Sequence, residues 1–207
     1  MSHLKIECAR RQLGTALDLY LRDRDPVSVH CLANGGCELI EVYAKKAGAK
    51  PFVSHILETR PDLDIKALKT VQRKYWNAFK HALKRHGGDE RDDEELLSSF
   101  TDEQNDVALF IGWYDYAQAT KMMPVEAQVH QIWWIALHPD KLDPKHASKL
   151  TQYQQFFPGL RERSRAKQKR MLKKVIERMR TNKKVMRDRR TDSRPLVLSG
   201  ELWNDQH

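Results

Sequence analysis

The sequence contains no run of about 18 apolar residues, so no membrane-spanning helix is expected. Its opening residues, MSHLKIECARRQ, lack the apolar centre of a signal peptide and pass directly into a helical pattern, so no cleaved leader is expected. Cysteine is scarce. Cys8, Cys31 and Cys37 are an odd number without a CxxC pair, which argues against a disulfide framework or a zinc ribbon. A reducing cytoplasm is the expected compartment. No HExxH, Walker loop or GxSxG motif is present. His81 and His86 are five residues apart and Cys31 and Cys37 six, spacings that do not build a tetrahedral site without distant partners, so no metal and no cofactor is expected. Cys37 has no neighbouring charge pattern that would mark a nucleophile and reads as a buried structural cysteine. Strand-type alternation and internal repeats are also lacking.

What is present is helical periodicity. Ala9, Leu13, Ala16, Leu17, Tyr20 and Leu21 recur at helical spacing, and the DRDP segment at 23–26 ends that helix. A second helix runs to about Lys46, with Val29, Leu32, Gly36, Leu39, Ile40 and Tyr43 on one face and Gly48 as its stop. Gly35 and Gly36 inside it point to close approach by a neighbouring helix. A connector with a short turn near Val53–Leu57 leads to a helix ended by Gly87-Gly88, followed by the solvated acidic loop DERDDEE. Thr101-Asp-Glu-Gln104 has the form of a capping box opening a helix to about Met123. Pro124 suits the start of the next, which carries Trp133 and Trp134. Two more helices are expected at about 143–156 and 159–190. The fold class is all-α, a helical bundle with a long basic C-terminal helix. The expected division is a helical core at 1–157 that folds without the remainder, a basic amphipathic helix at 158–190 and a tail at 191–207.

The stretch RKYWNAFKHALKRHGG at 73–88 carries a first candidate site. At about 100° per residue, Leu68, Val71, Tyr75, Phe79, Ala82 and Leu83 form an apolar arc, and Asn77 and His81 point away from it. Asn77-x-x-x-His81 resembles the motif of the small all-helical HEPN domains (higher eukaryotes and prokaryotes nucleotide-binding), Arg-Asn/Asp-x-x-x-His. In that family the motif face usually lines a dimer cleft, and active members are metal-independent RNases. The resemblance implies Asn77 and His81 as catalytic candidates. Trp76 occupies the motif's arginine position and can neither move a proton nor stabilise charge on phosphate; Arg73, one turn earlier on the same face, and Lys80, beside His81, are the alternative sources of positive charge, with Arg73 the candidate replacement. Residues from about 4 to 140 also resemble uncharacterised bacterial helical proteins with an N-x-x-K-H segment.

HPDK at 138–141 invites comparison with J-domain co-chaperones, but the preceding EAQVHQIWWIAL has no Lys or Arg. The segment reads as a helix–proline–helix corner.

Charge is concentrated in one place. Residues 160–190 hold 15 Lys and Arg against Glu162, Glu177 and Asp188, so this segment exceeds the formal charge of the whole chain, +9, and the remainder is net acidic. Leu172, Val175, Ile176, Met179 and Met186 form a narrow apolar stripe within it. The nucleic-acid-binding candidates are Arg161, Arg163, Arg165, Lys167, Lys169, Arg170, Lys173, Lys174, Arg178, Arg180, Lys183 and Lys184. Without interleaved aromatics they would contact phosphates rather than bases. The expected function is a HEPN-like module that binds RNA or another nucleic acid without turnover. Two alternatives remain open: an interaction module for an acidic protein partner or a homodimer, and an RNase of a toxin or defence system.

Overall fold

The structure, a computed structural model, describes residues 3–59, 62, 64–84, 88–141 and 147–200. In chain order these form α1 (His3–Leu21), α2 (Pro26–Lys46), α3 (Phe52–Thr59), α4 (Ile65–Lys80), α5 (Glu94–Ser98), α6 (Gln104–Thr120), β1 (Met123–Pro124), α7 (Val125–Leu137), α8 (Ala147–Phe156), α9 (Arg165–Arg180), α10 (Lys183–Met186) and β2 (Thr191–Asp192). One 3-10 turn, Pro139–Lys141, forms the corner after α7. The chain is all-α; among the described residues the strands are confined to the two-residue parallel pair of β1 and β2. Among the described residues no helix is long and apolar enough to cross a membrane.

The turn between α1 and α2 is written in DRDP. Asp23 adopts a left-handed backbone (φ 53°), which Asp tolerates better than most residues. The Asp25 carboxylate accepts the N–H groups of Val27 at 3.3 Å and Ser28 at 2.9 Å, and Pro26 takes the first helical position. The two helices then pack antiparallel, burying Ala9, Leu13, Ala16, Leu17 and Tyr20. The close approach expected at Gly36 is present: a Cβ there would lie 2.7 Å from Leu13 Cγ and 3.3 Å from the Ala9 carbonyl oxygen. Helix α6 runs along α2 in the same sense. His30 meets Asn105 at 2.9 Å, and the Cys37 thiol donates to the Ala108 carbonyl at 3.3 Å. Trp113 and Trp133, both fully buried, fill the centre between α1, α6 and α7.

Thr101 and Gln104 satisfy half of the expected capping box. Gln104 Oε1 accepts the Thr101 N–H at 2.8 Å, but Thr101 Oγ1 takes the N–H of Glu103, at 3.4 Å, not that of Gln104.

Three features differ from the expectations. First, α4 ends at Lys80, before the Gly87-Gly88 pair, of which Gly87 lies outside the described residues. Leu83 pairs with Glu90 and the Arg91 N–H reaches the Ala82 carbonyl, so the chain turns back. The buried arc turns with it: Trp76 is 7 % exposed, whereas Val71 is 65 % and Leu83 56 % exposed; the Leu68 side chain lies outside the described residues. Second, the single helix expected at 159–190 is two. Asn182 Oδ1 accepts the N–H groups of Lys184 and Val185, starting α10 and ending the earlier helical path. The start expected near 143 for the preceding helix lies outside the described residues. Third, the hydrophobic core does not close at residue 157: Leu160, Leu172, Val175, Ile176 and Leu196 are buried within it.

The segment after α10 is bound to α1 by a buried cation. Arg10, 0 % exposed, donates Nε to Asp192 at 3.0 Å, Nη1 to the Leu196 carbonyl at 2.8 Å and Nη2 to the Pro195 carbonyl at 3.0 Å. Burial pushes the Asp192 carboxyl up, but hydrogen bonds from Arg194 and Arg10 outweigh it and hold the group below the usual carboxylate range. The crossing is possible because residue 14 has no side chain. A Cβ on Gly14 would lie 2.2 Å from the Leu196 oxygen and 2.7 Å from Arg10 Nη1. Gly14→Ala is therefore expected to cost about 1–3 kcal/mol, as overpacking against an unyielding backbone. Thermal unfolding and limited proteolysis check this, with a midpoint lowered by about 3 °C or more and faster cleavage beyond residue 190. An unchanged midpoint would contradict the crossing.

Candidate nucleic-acid interface

Helix α9 sorts its cations by angle. Measured from Arg165 at about 100° per residue, Arg165, Lys169, Arg180 and Lys173 fall between about 0° and 80°. Lys167, Arg170, Lys174 and Arg178 fall between about 140° and 220°. The apolar stripe of Leu172, Ile176, Val175 and Met179 flanks the first group, so burying the stripe draws those four cations toward the protein.

The inward cations meet carboxylates. Arg165 donates to both oxygens of Asp106, at 2.6 and 2.8 Å, and to Asp102 at 3.1 Å. Tyr20 donates its hydroxyl to Asp106 at 2.6 Å and accepts from Arg165 at 2.9 Å. Lys169 is only 5 % exposed and reaches Asp23 at 2.7 Å and Asp102 at 3.2 Å. Lys173 pairs with Asp23 at 3.0 Å, and Arg180 pairs with the buried Glu126. Burial pushes the Asp106 carboxyl up, and the Arg165 guanidinium pulls against that shift. At Asp102 burial is outweighed by Arg165 and Lys169, which hold the carboxyl below its ordinary value. Four of the twelve candidate binding cations, Arg165, Lys169, Lys173 and Arg180, are thus engaged in the fold.

The outward cations are placed differently. Arg163, Lys167, Arg170 and Lys174 line one side of an open groove of about 380 Å³ with Pro158 and Met171. None of these four side chains makes an ion pair or hydrogen bond among the described residues. Arg178 continues the row, its guanidinium 5.4 Å from the Phe156 ring. Arg161 is exposed in the turn before α9, and Lys183 and Lys184 are exposed on α10. From Lys167 to Arg178 the row extends about 16 Å along the helix.

The Asn77, His81 and Arg73 candidates lie elsewhere, along α4. Asp64 caps this helix by accepting from Lys66 and Ala67. Tyr75 and Phe79 anchor it in an aromatic cluster with His30 and Phe100, with Phe79 and Phe100 centroids 4.9 Å apart. Asn77, His81 and Arg73 do line one cleft, of about 510 Å³, together with Glu38, Lys69, Trp76, Lys80, Lys84 and Arg91. His81 is not on the helical face with Asn77, however. It is the C-terminal cap, with extended backbone (φ −125°, ψ 115°), and is exposed. Arg73 lies near Glu38 at 3.8 Å and Glu41 at 3.6 Å, and Lys80 sits 3.7 Å above the Trp76 ring. Lys69 and Arg91 were not singled out from sequence. Lys69 was legible, one helical turn before Arg73, whereas Arg91 reaches the cleft only because the chain folds back after Lys80.

Beside the α9 ion cluster, His130 is 0 % exposed with neither ring nitrogen hydrogen-bonded among the described residues, and its ring meets Tyr20 edge-on at 5.7 Å. Burial first, then repulsion from Arg165, push its pKa down to about 3. The unfolded imidazole titrates near 6.5. Between these values the unfolded chain binds a proton that the fold refuses, so this residue's linkage makes the fold less stable as pH falls from about 6.5 toward 3. Asp115 acts in the opposite sense. Burial raises its carboxyl to about 6 despite a hydrogen bond from the Phe52 N–H, so the fold holds a proton that the unfolded chain releases. The His130 contribution is isolated by comparing wild type with His130→Leu at pH 8 and pH 5. The variant is expected to gain on the wild type at the lower pH by up to about 2 kcal/mol. Equal differences at both pH values would contradict the buried neutral imidazole.

No protein-family model, no curated protein and no solved structure matches the chain.

Proposed function

We propose that the protein is a HEPN-like helical module that binds RNA or another nucleic acid through the outer face of α9, without turnover. The observation that carries this reading is the division of cations within one helix. The inward ones are matched to carboxylates, while Arg163, Lys167, Arg170 and Lys174 line an open groove with no ion pair among the described residues. Such a row can neutralise successive phosphates and release their counterions. The outward arc carries no aromatic residue, the usual anchor of a protein interface, which favours a phosphate backbone over an acidic protein surface. The same lack of stacking platforms implies little sequence preference.

The placement of His81 supports the absence of turnover. A general base needs its imidazole held by an orienting partner and within reach of the hydroxyl it deprotonates. The exposed His81 side chain has no hydrogen-bond partner among the described residues. An RNA incubated with the protein is therefore expected to stay intact.

Fluorescence anisotropy with single-stranded RNA at several salt concentrations tests the binding. Three to four phosphate contacts predict a slope of log K against log salt of about −2 to −3. The triple variant Lys167→Gln, Arg170→Gln, Lys174→Gln should bring the slope close to zero and keep the wild-type thermal midpoint. Equal charge removed elsewhere, by Lys5→Gln, Lys46→Gln and Lys66→Gln, should leave the slope unchanged. No binding at low salt, or equal slopes in the two triple variants, would remove this reading.

A further inference from the structure

A separate pocket opens on the other side of α4, where α3, α4 and α6 meet beside α2. At about 100° per residue, Val71, Lys74 and Tyr75 lie opposite Arg73, Asn77 and Lys80 on that helix, and the pocket shares no lining residue with the cleft described above. Its walls are apolar: Val53 and Ile56 from α3, Val71 and Tyr75 from α4, Val107 and Ile111 from α6. The space is about 290 Å³, and Val71 and Val107 are left 65 % and 41 % exposed. The α3 wall is fixed in place. Asp115 accepts the Phe52 N–H at 2.7 Å, and the Phe52 ring meets Phe110 and Tyr114 edge-on, with centroids 5.4 and 5.3 Å away. A ligand therefore enters a formed site, without the cost of ordering it.

The charge on this lining has one sign. Among the described residues it holds no carboxylate. His30 meets Asn105 through Nδ1 at 2.9 Å, and burial pushes its pKa down, so it stays neutral. Lys74 is the cation of the lining. It is exposed, makes no ion pair or hydrogen bond among the described residues, and holds its ammonium 4.6 Å from the Tyr75 ring centroid.

We infer that this pocket binds a small amphipathic carboxylate of the medium-chain fatty acid type, its tail between α3, α4 and α6 and its headgroup at Lys74. A molecule of liquid water occupies about 30 Å³, so the space admits about ten non-hydrogen atoms, the size of octanoate rather than of a phospholipid or a partner helix. One lysine, a single point charge, matches the single charge of a carboxylate.

Titration calorimetry of the full chain with butanoate, hexanoate, octanoate and dodecanoate, each below its micelle-forming concentration, tests this. Affinity should rise about fourfold per methylene up to octanoate and level off by dodecanoate, whose tail outgrows the pocket. Octanol should bind about fivefold more weakly than octanoate. Lys74→Glu should weaken octanoate about tenfold and leave octanol unchanged, while Lys5→Glu, the same charge change on α1, should alter neither. Val107→Trp, at a partly exposed position, should keep the thermal midpoint and weaken octanoate and octanol alike. The α9 triple variant should bind octanoate as the wild type does, which separates this site from the nucleic-acid reading. No octanoate binding, affinity independent of chain length, octanol bound as tightly as octanoate, or unaltered octanoate binding in Lys74→Glu or Val107→Trp would overturn the inference. A dimer in sedimentation that Val71→Lys disperses would also overturn it, because a second copy would then cover the pocket.

Discussion

The cluster of Arg165 with Asp106, Asp102 and Tyr20 sets the orientation of α9, and with it the face that α9 turns outward. Asp106 is nearly inaccessible, and its two oxygens are occupied by Arg165 and Tyr20. Removing one partner from a buried pair typically costs about 3–5 kcal/mol, because the other is left uncompensated, even where the pair itself adds little net stability. Such a cluster therefore specifies geometry: only one rotation of α9 brings Arg165 and Lys169 to carboxylates and Leu172 and Ile176 into the core. The outward row of Lys167, Arg170 and Lys174 is the consequence of that rotation.

A second buried cation works in the same way at the other end of the basic segment. Arg10 fixes Asp192, Pro195 and Leu196 across α1, and β2 adds its short pairing to β1. The chain after residue 157 is thereby stitched into the helical core at both ends, by ions at Arg165 and Arg10 and by apolar contacts between. The net charge of the segment describes its sequence; its available charge is what remains after these pairings.

Much of the scaffold was legible. The periodicity of Ala9, Leu13 and Leu17, the break at DRDP and the close approach at Gly36 all follow from local chemistry and helical spacing. The ion pairs did not, because Arg165 and Asp106 are 59 residues apart and Arg10 and Asp192 are 182 apart. A trace of them was present. Arg10 stands three before Leu13 and seven before Leu17, and Lys169 three before Leu172 and seven before Ile176, so both cations share an apolar face. A cation at core spacing points to a buried partner, which net charge alone does not reveal. The end of α4 was less accessible, since it depends on Leu83 meeting Glu90 rather than on any stop residue, and the spacing of Asn77 and His81 reads as one helical face only if that helix continues.

The central claim is that one helix divides its cations between holding the fold and meeting nucleic acid. Lysine acetylation footprinting by mass spectrometry, with and without single-stranded RNA at low salt, measures that division residue by residue. Lys167 and Lys174 should react readily in the free protein and become protected by RNA, whereas Lys169 should react slowly in both states. Lys169 reacting as fast as Lys167 in the folded protein, or RNA leaving Lys167 and Lys174 unprotected, would contradict the account.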